Sequence, residues 1–215
     1  MRPGCFPLRR FLAGLLLTCA AHALAQPSSV PANPLEGAAL IQALRQGGMV
    51  LYIRHAATDF SRNDEKMTSY EDCASQRNLT DPGRAEARAI GAAMSKLAIP
   101  LGRVLASPFC RTVETATLVF GRAEKSNEVR GGPASSDDPK RYEGLRRLLS
   151  VAPDKGANLA IASHGNPFYA VAGPPYLQEG ETAVLRPLGA KGFEVVARLK
   201  LADWEILAGQ AGLNR

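Results

Sequence analysis

Three apolar runs in this chain end in residues suited to holding and attacking an anion. Val50-Leu51-Tyr52-Ile53 leads into Arg54-His55, the run Arg103 to Ser107 leads into Pro108-Phe109-Cys110-Arg111, and Asn158 to Ser163 leads into His164-Gly165. The chain has three histidines. His22 falls in the leader discussed below, so both remaining imidazoles directly follow an apolar run. A single histidine so placed is more often structural; two of two point to chemistry. The guanidiniums of Arg54 and Arg111 present a planar, permanently charged fork that matches phosphate oxygens bidentately. A neutral imidazole can attack phosphorus through one ring nitrogen while the other donates to a carbonyl that fixes its tautomer. A second imidazole can stabilise charge spreading over the equatorial oxygens. Such a group would cleave a phosphoester through a phosphohistidine and needs no metal or other cofactor.

Other chemistries fit less well. Ile161-Ala162-Ser163-His164-Gly165 lacks the first glycine of a hydrolase elbow. The chain has no G-x-x-x-x-G-K-[ST], no dinucleotide fingerprint and no His-x-x-His or Cys-x-x-Cys spacing. Two histidines with Asp59 make a poor zinc site, because the two arginines would repel a cation. Around the core group, Thr58 is either a hydroxyl donor to phosphate or a turn cap, and Asn166 is open in the same way. Arg111 has a bland alternative as a helix-start salt bridge with Glu114.

The elements that must position these residues alternate between strand and helix. Val50 to Ile53 and Asn158 to Ser163 are apolar on both faces, as buried parallel strands are. Carboxyl ends of parallel strands are where open α/β sheets keep their ligands. Leu35 to Gln46 reads as a short amphipathic helix ending at Gly47-Gly48. Thr80 caps a helix with an apolar stripe at Ala85, Ala89, Ile90, Ala93 and Leu97, stopped at Ile99-Pro100. Arg111 to Phe120 is helical. Thr182 to Pro187 and Phe193 to Leu199 read as paired strands, and a short helix begins at Asp203-Trp204. The expected fold is three-layer α/β/α with a mainly parallel central sheet. Two polar segments interrupt it: Phe60 to Asn78, which reads as a functional flap, and an insertion from Gly121 to Gly144, followed by a helix to Leu149.

The 215 residues, 46% hydrophobic and 21% charged, suit one globular domain with a sizeable core. The first 25 residues read as a secretory signal peptide, with Arg9-Arg10, an apolar run from Phe11 to Cys19, and cleavage after Ala25. That run is too short for a membrane span; a lipoprotein signal through Leu16-Leu17-Thr18-Cys19 is the alternative. The remainder divides into a Pro/Ser-rich leader and first helix at 26–46 and one domain at 47–215. Of the formal +6, three charges belong to the arginines of the signal, which leaves 23 cationic against 20 acidic residues. No basic run interleaves with aromatics, so nucleic acid is not an expected partner. Cys73 and Cys110 are the two thiols left after cleavage and are candidates to pair in an oxidising compartment.

Taken together, RHAATD at 54–59, SPFCRTVETA at 107–116 and SHGN at 163–166 resemble the histidine phosphatase superfamily, with its phosphoglycerate mutase-like fold. The helix TDPGRAEARAIGAAM fits the same pattern, and the likeness covers about residues 47 to 200. The resemblance implies an exported, metal-independent phosphomonoesterase acting on a small phosphoester or phosphosugar. His55 would be the phosphorylated nucleophile, and Arg54, Arg111 and His164 would hold the phosphoryl group. Members differ in where they keep the general acid. Gly180-Glu181-Thr182 resembles one such site and makes Glu181 the expected donor; Glu128, Glu124 and Glu179 are alternatives. A mutase or phosphotransferase, or an inactive phosphosugar-binding module, would carry the same motifs. Substrate and oligomeric state are not legible.

Overall fold

Residue 1 and residues 27–131 and 140–213 are described in the computed structural model. Residues 2–25 of the expected signal peptide and the 132–139 part of the insertion lie outside the described residues. Twelve elements follow in order: α1 (Gly37–Gln46), β1 (Val50–Arg54), α2 (Asp81–Lys96), β2 (Leu101–Ala106), α3 (Cys110–Phe120), β3 (Glu124–Lys125), α4 (Glu143–Ser150), β4 (Asn158–Ser163), α5 (Gly165–Ala172), β5 (Thr182–Pro187), β6 (Phe193–Leu199) and α6 (Leu201–Leu213).

The six strands form one sheet in the order β3-β2-β4-β1-β5-β6. β3, β2, β4 and β1 run parallel, while β5 lies antiparallel to β1 and pairs with β6 as a hairpin. The sheet is therefore mostly parallel, as expected, with a two-stranded antiparallel edge. Alternation along each strand divides the core. Leu51 and Ile53 of β1, with Ala160 and Ala162 of β4, face α1, α2, α3 and α6. Val50 and Tyr52, with Leu159 and Ile161, face α4 and α5. Leu40, Ile41 and Leu44 of α1 enter the first of these clusters, so the leader helix shares the core of the rest.

Local sequence chemistry accounts for most boundaries. Thr80 caps α2 through its hydroxyl, which accepts from the Gly83 amide at 3.0 Å. α3 closes on Gly121 at φ 79°, a left-handed conformation that glycine adopts without a Cβ penalty. Two elements were not foreseen. β3 is only two exposed residues long. α5 carries Pro167 in its first turn, where the missing amide proton leaves no intrahelical bond unmade.

Candidate active site

Strand order assembles the site. β4 lies between β2 and β1, with Ser163 level with Arg54 and Ala162 level with Ala106. The next residue on each strand, His164, His55 and Ser107, therefore emerges at the same end of the sheet. The backbone extends the ladder there, His55 N donating to Ser163 O at 2.9 Å and Ser107 N to Ala162 O at 3.0 Å. The two imidazole centroids lie 5.6 Å apart at 69°. They line one cavity of about 350 Å³, together with Arg54, Arg111 and Asn166.

Both rings are held at one nitrogen and, among the described residues, left open at the other. His55 Nδ1 lies 3.0 Å from the Ala56 carbonyl, the donation that puts the lone pair on Nε2. His164 Nε2 lies 2.8 Å from Ser107 Oγ, and its carbonyl accepts from the Tyr52 hydroxyl at 2.7 Å. Phe109 stands edge-on to His164 at 5.1 Å. Gly131 covers the same ring so closely that a Cβ there would sit 3.0 Å from Cδ2. Burial, chiefly, pushes the His55 pKa down to about 3, opposed by the Ala56 carbonyl and assisted by Arg111, Arg54 and Arg77. Burial and the same arginines hold His164 well below the usual imidazole range. At neutral pH both rings are uncharged, as a nucleophile with a free lone pair must be.

The guanidiniums are positioned from separate elements. Arg54 donates from Nη1 to Leu177 O at 2.8 Å and lies over the Tyr176 ring at 5.2 Å. Arg111, 5% exposed, stacks over Phe109 at 4.4 Å and contacts the Asp64 carboxylate through Nη1 at 3.0 Å. The Nε atoms of both are buried without a partner among the described residues. Glu114, the partner considered for Arg111, instead pairs with Arg84 at 2.7 Å and fastens α3 to α2. Thr115 joins α3 to the turn after His55: its hydroxyl accepts from Ala56 N at 3.1 Å and donates to Arg111 O at 2.7 Å.

Several candidates fall elsewhere. Glu181 does not line the cavity. It is locked to Arg198 at 2.8 and 2.9 Å and accepts from Gln178 N at 2.7 Å. Burial alone would raise its pKa, but these bonds outweigh burial and hold it below the carboxylate norm. Outside the cavity and so fixed, Glu181 acts as a strut between β6 and the segment before β5. Glu128 pairs with Arg147 and Glu124 with Arg103, both at the exposed surface. Glu179 lies 3.7 Å from His55 Nδ1 and 3.5 Å from Arg54 Nη2 and does not line the cavity. It also accepts from the Thr58 hydroxyl at 2.7 Å, so that hydroxyl is committed to Glu179 and not directed at a phosphoryl group. Asn166 does line the cavity; its Oδ1 accepts from Tyr176 at 2.6 Å, leaving the amide NH2 to donate.

The flap supplies what sequence reasoning missed. Arg77, Asp64 and Tyr70 all line the cavity and all come from the 60–78 segment. Its base is closed by a Thr58–Leu79 bridge. Buried Gln76 ties it internally to Tyr70 O at 3.1 Å and to the Cys110 amide at 2.9 Å. Arg77 lies over Phe60 at 4.6 Å and, with Arg130, joins Arg54 and Arg111 in lining the cavity. Cys73 and Cys110 form a disulfide, clamping the flap to the first residue of α3, next to Arg111. The bond closes a loop of 37 residues, so removing it is expected to cost about 2–4 kcal/mol of stability. In Cys73→Ser/Cys110→Ser, urea unfolding should show that loss, and KM should rise as Arg77 and Asp64 loosen. An unchanged KM would mean that the flap holds its place without the clamp.

Residues 50–132 match the family model described as histidine phosphatase superfamily (branch 1). A search of curated proteins found no match. Among solved structures, the protein histidine phosphatase SixA complexed with tungstate is 19% identical, with a TM-score of 0.51, covering 72% of this chain and 97% of that one. The putative phosphohistidine phosphatase SixA from Agrobacterium tumefaciens is 18% identical, with a TM-score of 0.49, covering 71% and 97%. At these identities the likeness concerns the fold.

Proposed function

We propose, from the match of residues 50–132 to the histidine phosphatase superfamily (branch 1), that the chain is a member of that superfamily and an exported phosphomonoesterase working through a phosphohistidine on His55. The observation that carries this is the pair of neutral imidazoles, each tied at one nitrogen, in a cavity walled by arginines. His55 Nε2 attacks phosphorus, and the P–O bond to the alcohol breaks in line on the far side. Arg54, Arg111 and His164 bind the equatorial oxygens, where their charge and donors stabilise the transition state. Water then attacks the phosphoenzyme, the P–N bond breaks, and the electron pair returns to Nε2. The substrate is a small phosphoester or phosphosugar.

Export is supported by the basic, apolar and small-residue pattern of the first 25 residues and by the disulfide, which persists in oxidising compartments. Among the described residues no helix is long and apolar enough to cross a membrane.

The test is to trap the intermediate. Protein quenched during turnover of a radiolabelled aryl phosphate, with EDTA present, should retain label that survives alkali and is lost in acid, as a phosphoramidate does. Hydrolysis that EDTA abolishes, or turnover with no such label, would remove the proposal. A binding module of the same fold would bind phosphate with neither label nor hydrolysis.

A further inference from the structure

The alcohol leaves as an alkoxide and needs a proton, and neither imidazole is placed to give one. His55 Nδ1–H is committed to the Ala56 carbonyl and Nε2 is the attacking atom. His164 is uncharged. Among the described residues one carboxyl lines the cavity, that of Asp64 on the flap. It is held from two directions: Arg111 Nη1 contacts it at 3.0 Å, and the Arg77 amide donates to Oδ1 at 2.9 Å. A group in contact with Arg111 is within reach of whatever Arg111 binds.

We propose that Asp64 is the proton donor to the leaving oxygen and, in the second half-reaction, the base that takes a proton from the attacking water. This rests on the phosphatase reading above. In the free protein Asp64 is the counter-ion of Arg111. A phosphoryl dianion entering the cavity competes with Asp64 for the same guanidinium. The proton that Asp64 delivers comes from solvent. As the P–N bond to His55 forms and the P–O bond breaks, the electron pair on the departing oxygen takes the Asp64 proton, and alcohol leaves. Asp64 is then a carboxylate, ready to accept a proton as water attacks phosphorus and His55 is released. The charged and titratable groups that share its cavity are Arg111 from α3, Arg77 and Tyr70 from its own flap, Arg130, Tyr176, and His55, His164 and Arg54 at the strand ends. The disulfide and Gln76 set the distance at which it works.

Leaving-group dependence tests this. Across aryl phosphates graded from 4-nitrophenyl to 4-methoxyphenyl, wild-type kcat/KM should change little, because the donor offsets the rising basicity of the leaving oxygen. In Asp64→Asn, which keeps an oxygen for Arg111 and the Arg77 amide, kcat/KM should fall across the same series by at least about tenfold more than in wild type. Asp64→Glu should restore a shallow dependence in part. A carboxylate that only positions Arg111 would lower all members of the series alike, so parallel profiles would overturn the proposal. So would an Asp64→Asn protein as active as wild type on the most basic leaving group. His55-dependent hydrolysis in wild type separates this failure from failure of the phosphatase reading. The Asp64 side chain is 28% exposed, so the asparagine variant should fold, which a thermal melt checks.

Discussion

Replacing His55 with alanine is expected to lower kcat by about 10⁴-fold or more and to abolish acid-labile labelling, the scale of loss seen when a covalent nucleophile is removed. No neighbouring group can take its place. His164 is engaged by Ser107 through Nε2 and covered by Phe109 and Gly131. The anion seat should outlast the change, since Arg54 takes its position from Leu177 O and Tyr176, and Arg111 from Asp64 and Phe109. Inorganic phosphate should therefore still bind His55→Ala within about tenfold of wild type, which distinguishes loss of chemistry from loss of the pocket. The pH profile carries a second signature. An imidazole with the ordinary value would lose its lone pair as pH fell through about 6.5. His55 is pushed down to about 3, mainly by burial, so its neutral form persists through that range. The kcat/KM profile should accordingly show no loss of nucleophile between pH 8 and pH 5. A limb near 6.5 that vanished in His164→Gln would point instead to His164 as the titrating group.

How far this site was legible in the sequence depended on whether a residue's position followed from local pattern. β1 and β4 were readable because unbroken apolar runs stop at a charged or imidazole residue, and the parallel register did the rest. Arg54, His55, Arg111 and His164 sit one step beyond that pattern. Asp64 and Arg77 do not. They lie in a segment without periodicity, held by a disulfide, a buried glutamine and side-chain bonds to its own backbone, none of which projects a spacing onto the chain. Glu181 shows the converse. Its Gly-Glu-Thr setting resembles a family acid site, but the group that decides its role, Arg198, is 17 residues on and meets it only once β5 and β6 pair. β3 and α5 were hidden for local reasons, one being a two-residue exposed edge and the other opening with a proline that usually signals a break.

Arg111 should be the most sensitive position after the nucleophile, and the identity of its head group should matter as much as its charge. Arg111→Ala is expected to lower kcat/KM by about 10³-fold, and Arg111→Lys by about 10²-fold. The argument begins from its surroundings. The side chain is 5% exposed, one face lies against Phe109, and Nη1 is shared between Asp64 and, at 3.4 Å, the Arg77 carbonyl. Nε is buried with no partner among the described residues, which leaves it a donor still to be satisfied. Lysine supplies a point charge on a flexible stem; it can neither stack on Phe109 as a plane nor offer parallel N–H bonds to two phosphoryl oxygens. Alanine does more than remove a donor: it leaves the Asp64 carboxylate without its counter-ion in a cavity meant for a dianion. The two effects separate by measurement. Losing the clamp should lower kcat and weaken binding of inorganic phosphate together, whereas like-charge repulsion from Asp64 should act mainly on binding. Adding Asp64→Asn to Arg111→Ala should therefore recover part of the phosphate affinity while recovering no kcat. If Arg111→Ala kept more than about a tenth of wild-type kcat/KM, the principal clamp would lie among the other guanidiniums of the cavity, Arg54, Arg77 and Arg130.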